Sequence, residues 1–542
     1  MARTVTPQCV PKADPVVRQM RAKQTRRAVP IAAVTILAAA CSATSTSPAS
    51  TTPVSTVAHG AAVPTGSWPF PNGDIANTRV APDSVISAAN VSRLREAWTF
   101  QLTGQAAAGV SGVGSLTAEP VVRGGTVYLQ DEDANVYALA LATGRLKWEY
   151  QVNVPEKSGP GPDGVTVTGN VVYGDTSTSA FALSAATGKP IWVRGSLLNS
   201  GQGAFEIQPQ VADGRVYLAS AYGSGPGGGI LMALSAATGR LLWTFNTVIS
   251  EGEGVQALGV GGGGAWEPPL FGTDGSVTFG TGNPYQSIGS AIAHPSLQLY
   301  TDSEVNLDAA TGKLRWYYQA VPDDFTDHDL QASPVSTSIG RAPVIITGGK
   351  MGYVYALSAR SGALLWKTPV GQHNGHDNDS VLALSHKLTV TLPYTVEPGS
   401  LGGILSNLAV AGDRVYVTTI DLPISFTSLT SVDGSKAAGP ATGEVEALSL
   451  ATGKVEWDTK VSSMPLGAAT VSNDLVFTTL YSGELIAFNR QTGAVVYQQQ
   501  LPTSANAPIA VFGNTVLVPA GGPQTSSSGG GGHPQLIAYT VP

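Results

Sequence analysis

One phrase recurs along the chain and constrains the fold more than any other feature. It reads apolar-Ala-Leu-x-x-x-Thr-Gly-x-x-x-Trp with small variations. Its seven copies are Val136–Trp148, Ala180–Trp192, Met232–Trp243, Val305–Trp316, Tyr355–Trp366, Glu446–Trp457 and Ile486–Tyr497. Internal repeats of this kind are typical of solenoids and propellers, in which each copy is one supersecondary unit.

Each copy has the pattern of two strands joined by a tight turn. In the copy that ends at Trp316, apolar and polar residues alternate on both sides of Thr311 and Gly312, which is the period of a half-buried strand. The turn glycine can adopt positive φ, and the closing Trp is suited to pack on a neighbouring unit. A further strand pair precedes each copy, such as Ala118–Val122 and Thr126–Gln130. About four strands per unit is the composition of a propeller blade.

An eighth, incomplete copy is split between the two ends of the chain. Leu536–Tyr539 supplies its first part, and Leu94–Phe100, which contains Trp98, supplies its last part. Pairing the two parts closes the ring and removes two exposed strand edges. The sequence therefore predicts an all-β fold, an eight-bladed β-propeller over residues 66–542 whose last blade is closed by both termini.

Two blades carry insertions. Trp243 and Trp316 are 73 residues apart, and Trp366 and Trp457 are 91 apart. Function often resides on such loops. The content of 64 glycines and 12% charged residues suits many short strands and turns. The net charge of −7 with no basic run in the propeller argues against nucleic acid as a partner.

The residues before the propeller have the pattern of an export signal. A basic stretch, Arg21–Arg27, is followed by an apolar run, Ala28–Ala40, and then by Cys41. The last four residues of this pattern resemble the lipobox of bacterial lipoproteins, in which the Cys becomes the lipidated first residue. The alternative is an ordinary secretory signal that happens to contain a cysteine.

These features predict three segments. Residues 1–41 are a leader whose true start is Met20, residues 42–65 are a flexible Ser/Thr/Pro-rich tether, and residues 66–542 are the propeller. We expect an exported protein, anchored through lipid on Cys41 to a membrane of the cell envelope, on its periplasmic or extracellular face.

The repeat and the segment Trp68–Arg79 resemble the pyrroloquinoline-quinone alcohol dehydrogenases. The segment ends in Gly-Asp-Ile-Ala-Asn-Thr-Arg, and the family commonly has Gly-x-Asp-x-x-Asn-Thr-Arg there. The resemblance covers residues 66–542 and implies an eight-bladed quinoprotein. The same repeat also occurs in propellers that bind no quinone, including lipoproteins of outer-membrane assembly, so function depends on the site residues.

Two motifs of the resemblance concern cofactor binding. Gly261–Trp266 resembles the glycine-rich segment whose Trp forms the floor beneath the quinone, which implies stacking of the planar cofactor on Trp266. Gly280–Pro284 resembles the segment whose Asn coordinates the metal, which implies that Asn283 binds both metal and cofactor.

A third motif concerns catalysis. Asp323–Asp329 resembles the family's loop that carries the general base next to the metal. The base aligns with Asp327, which implies that Asp327 takes the alcohol proton and contacts the metal. Asp329 has the spacing of a second Asp that adds a lanthanide ligand in some members. Lys350 occupies the place of a basic residue on the quinone oxygens.

The implied chemistry is hydride transfer from an alcohol to a quinone, which needs a Lewis acid and a base. Oxygen ligands of this kind suit Ca²⁺ or a lanthanide. The chain also departs from the family. The family's metal-binding Glu falls at Ser224 or Gly225, the disulfide over the quinone is absent because both cysteines precede residue 66, and Asp323 and Thr326 replace the His and Trp of the loop.

A second set of residues lies at equal offsets in adjacent blades. Asp327 and Asp329 follow Trp316 at the same distances as Asp377 and Asp379 follow Trp366. The imidazoles nearby belong to His328, His373 and His376. Such residues can hold a metal or serve in acid–base steps, or they are loop side chains that cap turns.

The leading interpretation is an exported quinoprotein that oxidises an alcohol or polyol, in the manner of the alcohol or polyvinyl-alcohol dehydrogenases. No haem-attachment motif is present, so electrons would pass to an external acceptor. The first alternative is a non-catalytic lipoprotein propeller that binds a protein or polymer. The second is a hydrolase or lyase that uses the Asp and His loops.

Overall fold

Short antiparallel strands make up almost all of the ordered structure. The computed structural model describes residues 55–58, 61–102, 115–152, 164–221, 223–224, 228–249, 261–430, 436–437, 441–521 and 533–542. Within these ranges eight sheets of at least four strands follow one another along the chain. The eight-bladed β-propeller predicted from the repeats is confirmed.

Blades are numbered in chain order from the first complete sheet. Blades 1 to 4 contain Val121–Arg123, Thr126–Gln130, Val136–Ala140 and Leu146–Tyr150; Thr166–Thr168, Val171–Asp175, Ala180–Ser184 and Pro190–Arg194; Ala204–Phe205, Gln210–Ala212, Arg215–Ala221, Ile230–Ser235 and Leu241–Asn246; and Leu270–Phe271, Ser276–Gly280, Ser303–Asp308 and Leu314–Gln319. Blades 5 to 8 contain Val335–Ile339, Ala342–Gly349, Tyr353–Ser358 and Leu364–Pro369; Ala409–Ala411, Arg414–Asp421, Thr442–Ser449 and Val455–Val461; Thr470–Ser472, Leu475–Leu480, Glu484–Asn489 and Val495–Gln500; and Ala510–Phe512, Thr515–Ala520, Gln535–Thr540, Arg95–Gln101 and Ser55–Val57. The inner strands of blades 1 to 4 contact one another in turn, as do those of blades 5 to 8, and blade 3 contributes Gln210–Ala212. These strands line the axis of the ring.

Blade 8 is built from both ends of the chain, as predicted. Gln535–Thr540 pairs with Arg95–Gln101 in an antiparallel register. Ser55–Val57 adds an edge strand to the same sheet, and the Thr65 N–H donates to Asn514 Oδ1 at 2.9 Å. Ser55–Val57 and Thr65 fall within the predicted tether, so the sheet of blade 8 includes residues before residue 66. The predicted leader, including Cys41, lies outside the described residues.

Each closing Trp joins its blade to the next. The Trp148 indole N–H, for example, donates to the Ala185 carbonyl of the next blade at 2.9 Å. The ring packs on the turn glycine of that blade, where a Cβ on Gly188 would lie 2.5 Å from Trp148. The same hydrogen bond is made by Trp98, Trp192, Trp243, Trp316, Trp366 and Trp457, at 2.7–3.2 Å. The repeated phrase is thus the contact between blades, because its Trp and its Gly meet across each junction.

The two insertions pack together in a small cap. The first forms helix α1, Ile288–Ala293, and the second forms helix α2, Asp379–Leu384. A short sheet of Tyr394–Val396, Ile424–Phe426 and Lys436–Ala437 completes the second insertion. Apolar side chains of both insertions share one buried cluster. A 3-10 turn, Val91–Arg93, precedes the strand Arg95–Gln101 of blade 8. No helix in the described part of the chain is long and apolar enough to cross a membrane.

Candidate active site

The glycine-rich segment before blade 4 lies against a connection within the same blade. The Gly282 N–H donates to the Gly264 carbonyl at 2.7 Å, and the Gly263 N–H donates to the Asn283 carbonyl at 2.9 Å. A Cβ on Gly262 would lie 2.0 Å from the Asn283 carbonyl oxygen. Only glycine permits this approach, so the glycines of this segment have a packing role beside Asn283.

Trp266 and Asp329 both lie close to Gly282. A Cβ on Gly282 would lie 3.0 Å from the Trp266 ring and 2.7 Å from Asp329 Oδ1. The Asn283 N–H donates to the same Asp329 oxygen at 2.7 Å. Trp266 is half-buried, whereas Asn283 and Asp329 are buried. The structure therefore brings three of the predicted site residues together at one face of the propeller.

Lys350 joins this group from blade 5. Its ammonium lies 3.0 Å from Asp327 Oδ2 and 2.5 Å from Asp329 Oδ2. Burial lowers the pKa of Lys350, but the charges of Asp327 and Asp329 outweigh burial and leave the pKa above its ordinary value. Lys350 is thus a protonated cation between two carboxylates, and all five predicted propeller site residues belong to one cluster.

The Asp loop is held in place by its own side chains. Asp324 accepts hydrogen bonds from the Thr326 N–H at 2.9 Å, from the Thr326 hydroxyl at 2.6 Å and from the His328 N–H at 2.8 Å. Gln286 donates to Asp323 Oδ1 at 2.9 Å, and burial raises the pKa of Asp323 to about 7. Asp327 has a φ of 64°, in the left-handed region. These contacts fix the loop and turn the Asp327 carboxylate toward Lys350.

Asp302 belongs to the same region and was missed by the sequence interpretation. It is fully buried, and neither carboxylate oxygen has a hydrogen-bond partner. Burial raises the pKa of Asp302 well above its ordinary value, and the charges of Asp324, Asp329 and Asp327 raise it further. Aligning the repeats on their closing aromatic residues would have given a signal. The position of Asp302 is glycine in four other blades, as Gly229, Gly352, Gly443 and Gly483.

A second polar cluster surrounds the axis next to Trp266, and its acids Glu119 and Glu267 were missed by the sequence interpretation. Buried Arg79 pairs with Glu119 at 2.7 Å, and Asn407 donates to Glu267 Oε2 at 2.7 Å. Burial raises the pKa of Glu267 to about 7. A cavity of about 170 Å³ lies among these side chains. Arg79 ends the Asn-Thr-Arg motif, and its further bonds to the Ala469 and Ile509 carbonyls hold that motif across the ring.

The second predicted set of Asp and His residues forms separate pairs. His373 Nδ1 lies 2.5 Å from Asp377 Oδ1, and His376 Nδ1 lies 2.7 Å from Asp379 Oδ2. His328 Nε2 contacts the Pro398 carbonyl at 2.9 Å. Across the described ranges, no group of three or more His, Cys, Asp and Glu side chains is arranged to hold a metal ion. The equal offsets therefore place the two Asp pairs near one another without joining them into one cluster.

The place where the sequence lacks a metal-binding Glu lies beside the glycine-rich segment. The Gly262 N–H donates to the Gly223 carbonyl at 2.7 Å, and a Cβ on Gly261 would lie 2.7 Å from the Ser224 Cα. Gly225, the other residue considered for this position, lies outside the described residues. The backbone at Ser224 thus approaches the segment that leads to Trp266.

The sequence matches two family profiles. The profile described as glucose/ethanol/alcohol dehydrogenase, beta-propeller domain, matches residues 68–374, which is more than half of the chain. A second profile, described as outer membrane protein assembly factor BamB, matches residues 441–533. The first match contains Trp266, Asn283, Asp327, Asp329 and Lys350.

Individual relatives agree with the first profile. The chain is 24% identical to the quinoprotein alcohol dehydrogenase PedH of Pseudomonas putida, over 79% of this chain and 80% of that protein. The quinohemoprotein alcohol dehydrogenase from Comamonas testosteroni superposes with a TM-score of 0.75 at 21% identity, over 89% of this chain and 81% of that chain. A europium-containing methanol dehydrogenase gives a TM-score of 0.71 at 20% identity, over 88% and 98%.

The two solved structures show the fold, and the profile shows the family. The axial segment with Arg79, the glycine-rich segment with Trp266 and the cluster around Lys350 all lie within the matched residues. The chain therefore belongs to the glucose/ethanol/alcohol dehydrogenase β-propeller family of quinoproteins.

Proposed function

We propose that this protein oxidises an alcohol or polyol with pyrroloquinoline quinone and a bound Ca²⁺ or lanthanide ion. The observation that carries the proposal is the cluster in which the Lys350 ammonium contacts both Asp327 and Asp329, next to Asn283 and Trp266. The names of the relatives, which include a quinoprotein alcohol dehydrogenase and a europium-containing methanol dehydrogenase, agree with it.

The side chains in the cluster fit a hard cation. Asn283, Asp327 and Asp329 supply amide and carboxylate oxygens, which are the donors that Ca²⁺ and similar ions prefer. The ammonium of Lys350 already occupies a position between two of these carboxylates. Binding a metal ion there requires Lys350 to leave at least one carboxylate, and its long side chain allows this movement.

The half-buried ring of Trp266 fits a planar group. It lies beside Gly282, directly adjacent to the cation-binding side chains. Aromatic faces stack on flat ring systems, so a quinone resting on Trp266 would meet the freed ammonium of Lys350 and the amide of Asn283. We infer that these three residues bind the cofactor.

The catalytic role falls to Asp327. Bound quinone supplies a hydride acceptor and a bound cation supplies Lewis acidity. Asp327 accepts the hydroxyl proton of the alcohol as the hydride leaves the carbinol carbon, since a positioned carboxylate is an effective general base. The hydrogen bonds that Asp324 makes to Thr326 and His328 keep the loop, and hence Asp327, in position.

Further parts of the proposal concern the setting of the reaction. Electrons leave to an external acceptor, because the chain has no haem-attachment motif. The basic, apolar and cysteine-containing leader supports export and a lipid anchor at Cys41. The site would then work on alcohols outside the cytoplasm.

A second candidate is a non-catalytic propeller that binds a protein or polymer. The match of residues 441–533 to a profile of an outer-membrane assembly factor favours it. It gives no reason for a buried ammonium between two carboxylates, which is costly to desolvate and is retained mainly where it serves a function.

Reconstituted activity tests the proposal. The purified protein is loaded with pyrroloquinoline quinone and either Ca²⁺ or La³⁺, and reduction of an artificial electron-accepting dye is followed with ethanol, glycerol and polyvinyl alcohol. Alcohol-dependent dye reduction supports the dehydrogenase. Quinone binding without dye reduction for any alcohol contradicts it and favours the binding propeller.

A further inference from the structure

A second, smaller cavity lies beside the Asp loop. Its volume is about 60 Å³, which is several times the roughly 10–15 Å³ that one water molecule requires. Phe325, Thr326 and His328 of the loop line this cavity, whereas the carboxylate of Asp327 contacts Lys350. The loop therefore contributes to two different places, the cluster around Lys350 and this cavity.

The second insertion supplies another wall of the cavity, residues 376–381. His376 Nδ1 lies 2.7 Å from Asp379 Oδ2, and the Tyr394 hydroxyl lies 3.1 Å from the same nitrogen. These contacts fix the Asp379 side chain, which is buried. A carboxylate can accept several hydrogen bonds, so Asp379 retains acceptor capacity toward the cavity.

Tyr355 is a side chain of blade 5 that lines the same cavity. It is 2% exposed, and its ring packs against those of Tyr318 and Tyr353, with centroids 5.6 and 6.1 Å away. Its hydroxyl forms no hydrogen bond with the residues that the structure describes. Burial raises the pKa of Tyr355 well above its ordinary value, so the hydroxyl keeps its proton and remains a donor. A buried donor without an acceptor is unfavourable and points to a ligand or water in the cavity.

The charges around the cavity disfavour an anion. Asp377 and Asp379 line it, together with Lys367, whose ammonium lies 4.9 Å from the centre of the Tyr353 ring. The rings of Phe325 and Tyr353 offer apolar faces to C–H groups. Hydroxyl groups both donate and accept hydrogen bonds. A neutral molecule with several hydroxyls on a short carbon chain therefore matches the donor, the acceptor and the rings together.

We propose that this cavity is a binding site for a small, neutral, polyhydroxylated molecule of about the size of glycerol. The Tyr355 hydroxyl donates to one hydroxyl of the ligand, and the Asp379 carboxylate accepts from another. The site is separate from the proposed quinone and metal site and needs neither group. It thus goes beyond the proposed function.

A ligand-observed NMR titration tests this inference on the folded protein without quinone or metal ion. Glycerol is the probe, and 1-propanol, which has the same carbon chain and one hydroxyl, is the comparison. We expect 1-propanol to bind about 10-fold more weakly than glycerol, because it cannot bond to both polar groups. Tyr355→Phe keeps the ring and removes the hydroxyl, and it should weaken glycerol binding by about 3- to 10-fold.

Tyr318→Phe is the matched control. The Tyr318 ring packs on that of Tyr355, but Tyr318 is not among the residues that line the cavity, so this variant should bind glycerol as the wild type does. Val381→Trp serves where Tyr355→Phe does not fold. Val381 lines the cavity and is exposed, so a larger side chain there should block glycerol with little effect on the core.

Asp327→Asn separates this proposal from the proposed function. It should bind glycerol as the wild type does, and a loss of binding in Asp327→Asn would place glycerol at the Lys350 cluster and overturn the inference. Equal glycerol affinity in wild type, Tyr355→Phe and Val381→Trp would also overturn it. So would equal affinity of the wild type for glycerol and 1-propanol, or an equal loss in Tyr318→Phe. None of these results bears on quinone binding.

Discussion

The junctions between blades and the cluster around Lys350 are built on opposite principles. At each Trp junction a neutral indole N–H meets one carbonyl, and a ring covers one glycine turn, as in Trp148 on Ala185 and Gly188. Around Lys350, two carboxylates contact one ammonium, and Asp302 nearby has no hydrogen-bond partner on either carboxylate oxygen. The hydrogen bonds of the junctions are complete and recur in successive blades. The cluster contains a carboxylate without a hydrogen-bond partner and occurs once in the described residues. The comparison indicates that the repeat stabilises the ring and that departures from it create the site.

The largest effect is expected within the cluster. Replacing Asp327 by Asn removes the proposed base, so kcat in the reconstituted dye assay should fall by about 10²- to 10⁴-fold. The melting temperature should remain near that of the wild type. Asp377→Asn is the control, because Asp377 pairs with His373 outside the cluster. Full loss of activity in Asp377→Asn with normal activity in Asp327→Asn would favour chemistry at the Asp and His loops instead.

The second-largest effect is a loss of stability at a junction between blades, where two glycines of blade 2 can be compared. Gly188 has a φ of 68° and would place a Cβ 2.5 Å from the Trp148 ring, whereas Gly169 has a φ of 59° and open space around its Cβ. Gly169→Ala should cost about 1 kcal/mol from backbone strain alone. Gly188→Ala should cost about 2 kcal/mol or more, because overpacking against the ring adds to the strain. Thermal melts of both variants measure the difference, and equal melting temperatures would show that the junction tolerates the extra atom.

A pair of tryptophan variants compares the two regions directly. Trp148→Phe removes the indole N–H and leaves the Ala185 carbonyl without that donor, which should lower stability by about 1–2 kcal/mol without affecting quinone affinity. Trp266→Phe should weaken quinone binding with little effect on stability, since Trp266 is half-buried beside the cluster. Melting curves and quinone titrations of both variants provide the measurements. Similar stability losses in both would show that Trp266 is an ordinary core residue.

The smallest effect concerns a buried acid outside the cluster. Burial raises the pKa of Glu446 to about 8, although the Gly371 N–H partly offsets it. The folded protein therefore keeps this proton between its ordinary pKa of 4.5 and about 8, while the unfolded chain loses it. Stability should fall as the pH rises through this window. Glu446→Gln should flatten that fall by a few °C in melting temperature, and an unchanged pH profile would show that Glu446 is compensated in the fold.

The propeller could be predicted from the sequence because each copy of the repeat contains both residue types that meet at a junction, the closing Trp and the turn Gly. Trp148 and Gly188 appear in consecutive copies of one phrase, so periodicity alone pairs them. The split of blade 8 followed from the same phrase at the two termini. The edge strand Ser55–Val57 could not be predicted, because it lies in a Ser/Thr-rich segment and forms a strand by pairing with Arg95–Gln101.

The site could be predicted only where it resembles a family motif. Trp266, Asn283, Asp327, Asp329 and Lys350 were all named from the sequence, and they lie together. Their roles stay predictions. Asp302 was missed because its burial and its lack of hydrogen-bond partners depend on tertiary packing, and only an alignment of the repeats marks its position as unusual.

Binding of the quinone tests the central claim most directly. The intact protein is titrated with pyrroloquinoline quinone in the presence of Ca²⁺ or La³⁺. Binding is followed by Trp fluorescence and cofactor absorbance. We predict one quinone bound per chain, dependent on the metal ion and strongly weakened in Trp266→Ala. Absence of binding with either ion, in protein that is folded by circular dichroism, would contradict the account and leave a propeller that binds a protein or polymer.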